Sequence, residues 1–203
     1  MNPINLFWLF ASPAKGWSSL VQSRPSIHQL FLLHAVPFSL IPPLMVYFAG
    51  NQYGGQFFPG LSPVKLLLVA VAFFIVELII VPFMGVIIRQ LGEVAEIHPS
   101  YKDAFILAAV APTPLWIAPL FLMVPSVMLN LLAVSLAMMA TAGFIYYGIP
   151  VVLKLEERGH AMLLFGAILT AGVVTWGFLM VSTLVAWGSI QNLQLSMLSG
   201  MTA

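Results

Sequence analysis

Residues Leu107 to Pro125, LAAVAPTPLWIAPLFLMVP, are long and apolar enough to cross a bilayer, yet they hold Pro112, Pro114, Pro119 and Pro125, with Thr113 between the first two. An interior proline removes one backbone donor and frees the carbonyl four residues earlier. In hydrocarbon a freed carbonyl must find a partner inside the protein. A span broken this way therefore belongs inside a bundle, with other spans covering it.

The rest of the chain can supply that cover. The sequence has 203 residues, is 61% hydrophobic and 6% charged, and has a mean hydropathy of +1.05. Soluble domains carry about 25% charged residues, so this composition predicts a polytopic membrane protein. A net charge of +1 offers no footprint for nucleic acid. The absence of cysteine excludes disulfides, thiol catalysis and cysteine metal sites. The apolar run Leu6 to Phe10 is short and has no basic residue before it. No cleaved signal peptide is expected, and the first span serves as an uncleaved signal.

In chain order, residues 1 to 27 form an N-terminal segment. Ser12 and Pro13 read as N-cap and first helical residue. Ala14, Trp17, Leu20 and Val21 recur at helical spacing with Lys15, Ser18 and Gln22 between them. This pattern fits a short interfacial helix anchored by Trp8 and Trp17, or an ordinary segment leading into the first span. Five spans follow, at about 28–50, 64–88, 104–124, 127–149 and 161–187, each with the ~20 residues a bilayer requires. Span one is expected to kink at Pro37, Pro42 and Pro43, and Gly92 is a candidate C-cap after span two. Residues 188–203 make a polar tail without charge. The expected fold is all-α, a bundle of five transmembrane helices with an interfacial N-terminal helix. Clustered prolines in spans one and three hint at paired discontinuous helices, but an odd number of spans argues against a simple duplication.

Basic residues set the expected orientation. Lys15, Arg24, Arg89, Lys102, Lys154 and Arg158 fall on one side of a five-span chain, and only Lys65 falls on the other. The positive-inside rule then puts the N-terminus in the cytoplasm and the C-terminus outside, in the periplasm of a bacterial inner membrane.

Near the N-terminus stands Ser12-Pro13-Ala14-Lys15-Gly16-Trp17, a P-x-x-x-W opening. Span three carries Ala111-Pro112-Thr113-Pro114-Leu115, and span four ends Tyr146-Tyr147-Gly148-Ile149-Pro150 before a short charged loop. In this order the motifs resemble the bacterial branch of the Yip (Ypt-interacting protein) family of five-span inner-membrane proteins. The resemblance covers nearly the whole chain and implies a membrane protein without an assigned molecular activity. Eukaryotic members bind lipidated Rab-type GTPases in vesicle traffic, a role that a bacterial cell of this type does not offer. No catalytic residue or cofactor is carried over. Pro13, Trp17, Tyr146, Tyr147, Gly148 and Pro150 are singled out as motif residues.

Glu77 is the sharpest single residue, the only formally charged side chain deep in a span. An acid at mid-bilayer costs about 2.5–3.5 kcal/mol on insertion scales and should face the bundle. It reads as a proton or cation site, or as a protonated acid donating a hydrogen bond to a proline-freed carbonyl. The second reading is favoured because no basic or acidic partner is evident at its depth. At about 1.5 Å per residue, Pro37 to Pro42, Pro112 to Pro114, Thr141 and Thr170 to Thr175 lie within roughly two turns of Glu77. Glu77, Thr113, Pro112, Pro114 and Thr141 are therefore the candidate polar site. Ordinary packing, with each hydroxyl bonded to its own backbone, would account for the threonines equally well. His34 is placed to titrate or pair, though it reads more readily as a satisfied packing residue near the interface, and Tyr146 and Tyr147 read as aromatic-belt or packing residues.

The four histidines show no H-E-x-x-H spacing, and there is no G-x-S-x-G elbow or glycine-rich phosphate loop. The expected function is non-enzymatic: a membrane scaffold or binding protein engaging lipid or other membrane proteins, or self-associating. Gly166, Ala171, Gly172 and Gly177 on span five are expected to permit close helix contact. The alternative is a small transporter or ion-conducting protein using Glu77 and the proline-broken spans one and three.

Overall fold

The computed structural model describes residues 8–57 and 62–201. The start of the N-terminal segment, with Leu6 of the apolar run, and the last two residues of the polar tail lie outside the described residues. The described chain is helical throughout, with no strand. A helix at Pro13–Gln22 is followed by five helices long and apolar enough to cross a membrane: Ile27–Gly54, Pro63–Val94, Tyr101–Met123, Val127–Val152 and Arg158–Val185. The bundle is a polytopic membrane fold.

Span three is the most deeply buried of the five, and span five the least. Spans one, two and four surround span three, and span five lies over spans two and four. The broken helix is thus covered by its neighbours, as its prolines require. It runs as α-helix over Tyr101–Val110, turns at Ala111–Pro112, resumes over Thr113–Ile117 and ends as 3₁₀-helix over Ala118–Met123. Pro114 cannot donate to the Val110 carbonyl, and the Thr113 hydroxyl takes that place at 2.6 Å. Span one is broken as well. It contains a π-helical turn at Phe31–Ala35 just before Pro37 and a turn at Leu40 before Pro42.

Several boundaries run further than the composition suggests. Span one continues as helix to Phe57, through Gly54, instead of stopping near Gly50. Span two reaches Val94, so Gly92 is not its C-cap; Ala95 is. Gly92 instead makes room for Pro99, whose ring would lie 2.5 Å from an added Cβ. The last helix continues past the membrane-length stretch to Met201, so the polar tail extends span five as helix.

The N-terminal helix does begin at Pro13, although the Ser12 side chain makes no capping bond. The helix does not rest on the bilayer through both tryptophans. Trp17 and Leu20 are fully buried against span four, joined by Leu9 in one core with Leu107, Phe144 and Ile149. Trp8 is exposed, with the Lys15 ammonium 6.0 Å from its ring centre. The apolar stripe read as a membrane anchor is a protein contact, because span four offers a groove that fits it.

Candidate functional site

That groove explains two of the sequence motifs. An added Cβ on Gly148 would lie 2.8 Å from the Trp17 ring and 2.7 Å from the Leu107 side chain. Trp17 of the P-x-x-x-W opening therefore fills the space that Gly148 of the Y-G-x-P ending leaves. Pro13 starts the helix that presents Trp17, and Pro150 lies within the last turn of span four. Tyr146 and Tyr147 point away from this contact. Both are exposed and edge-to-face with each other, and Tyr146 also packs on Phe165 of span five.

A second cluster sits where the broken helices meet. The π turn of span one carries His34, which is fully buried. His34 Nε2 lies 3.0 Å from Thr113 Oγ1. The Thr113 hydroxyl hydrogen is already directed to the Val110 carbonyl. His34 Nε2–H must therefore be the donor, and Nδ1 is left without a partner. The His34 ring meets the edge of Trp116 at 6.2 Å between centres. Trp116 Nε1 in turn donates to Glu77 Oε1 at 3.1 Å. Spans one, two and three are tied here by His34, Glu77, Thr113 and Trp116.

The geometry corrects one expectation: Glu77 is held by an indole N–H and not by a proline-freed carbonyl. Of the two readings of His34, it favours pairing, since the ring bonds Thr113 of the Thr-Pro motif. Trp116 is the residue sequence reasoning missed. Its signal was available, since it lies three residues after Thr113 and so shares that helical face, but nothing local paired it with Glu77.

Beside Glu77 and Trp116 a cavity of about 210 Å³ opens among spans two, three, four and five, reached by Pro42 of span one. Its walls are largely apolar. Glu77, Thr141 and Thr175 contribute side chains with polar groups, and Met84, Met138 and Met180 contribute thioethers. Glu77 Oε2 and Thr141 Oγ1 have no hydrogen-bond partner. Met138 and Val173 line the cavity and are also exposed, so it reaches the outer face between spans four and five.

Of the residues grouped by depth, Glu77, Pro42, Pro112, Thr141 and Thr175 meet at this cavity. Thr113 and Pro114 are buried behind it, Thr113 on His34. Thr170 faces outward and bonds the Gly166 carbonyl, whereas Thr175 donates to the Met84 sulfur. The shared layer is thus an apolar chamber with a few polar groups, not a polar core. Gly166, Gly172 and Gly177 approach nothing closely within the chain: an added Cβ at each would meet no atom within 4 Å.

Five apolar helices, the third broken by prolines, define a polytopic helical membrane protein. The Yip1 domain model matches residues 8–179, and the chain belongs to that family. The chain is similar to inner membrane protein YohC of Escherichia coli K12, 26% identical over 188 residues that cover 91% of this chain and 96% of the relative. YohC of Escherichia coli O6:H1 matches at the same identity and coverage. No solved structure matches the chain.

Proposed function

We propose that this is a non-enzymatic, membrane-embedded binding protein of the bacterial inner membrane, with the cavity beneath span five as its ligand site. The observation that carries the reading is an apolar chamber of about 210 Å³ beside a buried, half-partnered carboxyl. An engineered apolar cavity of about 150 Å³ takes up benzene, so this one has room for a small apolar group or the end of a lipid chain. The outer face at Met138 and Val173 gives such a group a route from the hydrocarbon. The inner-membrane location draws on the named relatives and on the five apolar helices.

Photolabelling in native membranes with 3-trifluoromethyl-3-phenyldiazirine tests this reading. Insertion is expected at the buried Glu77 and Trp116, and it is expected to vanish in Gly172→Leu, which fills the chamber. Labelling confined to outward positions such as Leu67 and Val174 would overturn it.

Transport through Glu77 is the second reading. It draws on the broken helices that meet at His34 and Thr113, but the largely apolar lining offers no continuous polar path. A scaffolding role toward other membrane proteins is compatible with the binding reading and would use the exposed faces of the spans.

The N-terminus is proposed to be cytoplasmic and the C-terminus periplasmic. Trp17 against Gly148 and Leu107 brings the N-terminal helix to the end of the bundle that also carries the loops after spans two and four, which gathers the six basic residues together. Because the chain has no cysteine, single cysteines report cleanly. A cysteine at Lys65 should react with an impermeant maleimide in intact cells, and one at Lys154 only after lysis. The reverse pattern would invert the topology.

A further inference from the structure

We propose that the ligand of the cavity is an apolar monovalent organic cation, such as a small aryl or alkyl quaternary ammonium, with Glu77 as its counter-ion. The inference rests on the binding reading above and names the chemistry of its site. Glu77 faces the chamber from span two and is 7% exposed. Its Oε1 accepts from Trp116, and its Oε2 has no partner. Among the described residues no Lys, Arg or His lines the chamber, so none of them sets a resident cation against the carboxyl there. An acid held inside a membrane bundle marks an ion or ligand path by default.

The remaining walls suit a cation that is also apolar. Phe73, Trp116 and Trp176 line the chamber on three different spans. Aromatic faces attract quaternary ammonium groups, most strongly when the cation has shed its water. An apolar cation sheds little water on leaving the hydrocarbon. A metal ion would demand several oxygen ligands, and among the described residues the side-chain oxygens lining the chamber are those of Glu77, Thr141 and Thr175. A neutral apolar guest would fill the same space but would leave the Glu77 carboxyl unused.

The test compares benzyltrimethylammonium with neopentylbenzene, in which carbon replaces the charged nitrogen at nearly the same shape. Binding to the purified full chain in detergent is followed by tryptophan fluorescence, since Trp116 and Trp176 report from the walls. The wild type is expected to prefer the cation by about tenfold or more. Glu77→Gln keeps an oxygen acceptor for Trp116, and it is expected to lose the preference, the affinities for the two probes converging. Gly172→Leu is expected to lose both probes. Equal affinity of the two probes in wild type, or a preference that survives Glu77→Gln, overturns the cation inference and leaves the binding reading standing. Binding of neither probe to the wild type overturns both.

Discussion

Trp17 makes no hydrogen bond through its indole nitrogen, yet it is fully buried, so its contribution is packing alone. Gly148 is the complement of that ring. Gly148→Ala should therefore cost about 1–3 kcal/mol through overpacking, and Trp17→Ala about 3–5 kcal/mol through the cavity it leaves. Because the two residues touch, the penalties should not add: Gly148→Ala should cost less in a Trp17→Ala background, with the contact to Leu107 remaining. Thermal unfolding of the four proteins in detergent checks this, and additive losses would separate the pair. At the second cluster, Thr113→Val leaves both the Val110 carbonyl and His34 Nε2–H unpaired and should cost about 1–3 kcal/mol. Glu77→Gln retains the bond from Trp116, and because the Oε2 position lacks a partner already, it should cost less than Thr113→Val. Should neither variant change stability or ligand signal, the idea of a shared site at this depth fails.

At the scale of the element, the broken third span is organised by what its prolines cannot do. Pro114 frees the Val110 carbonyl, Thr113 answers it, and the threonine oxygen then receives His34 from span one. Restoring the backbone donor with Pro114→Ala should make the Thr113 hydroxyl partly redundant. The destabilisation caused by Thr113→Val should shrink by roughly 1 kcal/mol in that background, read by the same unfolding assay. An undiminished loss would mean that Thr113 acts mainly through His34. This element also marks what a sequence can disclose. The spans, the breaks at Pro112 and Pro114 and the need for cover follow from local chemistry, because hydropathy and the missing N–H act wherever the chain goes. The partner of Glu77 does not, since Trp116 is 39 residues away and reaches it only through the packing of span two on span three. The seat of the N-terminal helix was hidden for the same reason. An amphipathic stripe looks alike whether it meets lipid or, as Trp17 does, the groove at Gly148.

For the whole molecule, the decisive feature is where packing stops. Span five covers spans two and four without filling the space above span three, and Gly172 stands at that space with nothing within 4 Å of an added Cβ. Gly166, Gly172 and Gly177 border open space in the fold, which leaves span five accessible to other helices and which no periodicity in one helix can reveal. The most direct test of the account is the thermal unfolding of Gly172→Leu against wild type. If the chamber exists, the leucine enters it without displacing a neighbour, and a helical glycine is exchanged for a better helix former by about 1 kcal/mol. The variant is then predicted to unfold at or above the wild-type temperature. A loss of about 1–3 kcal/mol, the usual cost of forcing a side chain into a filled core, would contradict the chamber and the binding function built on it.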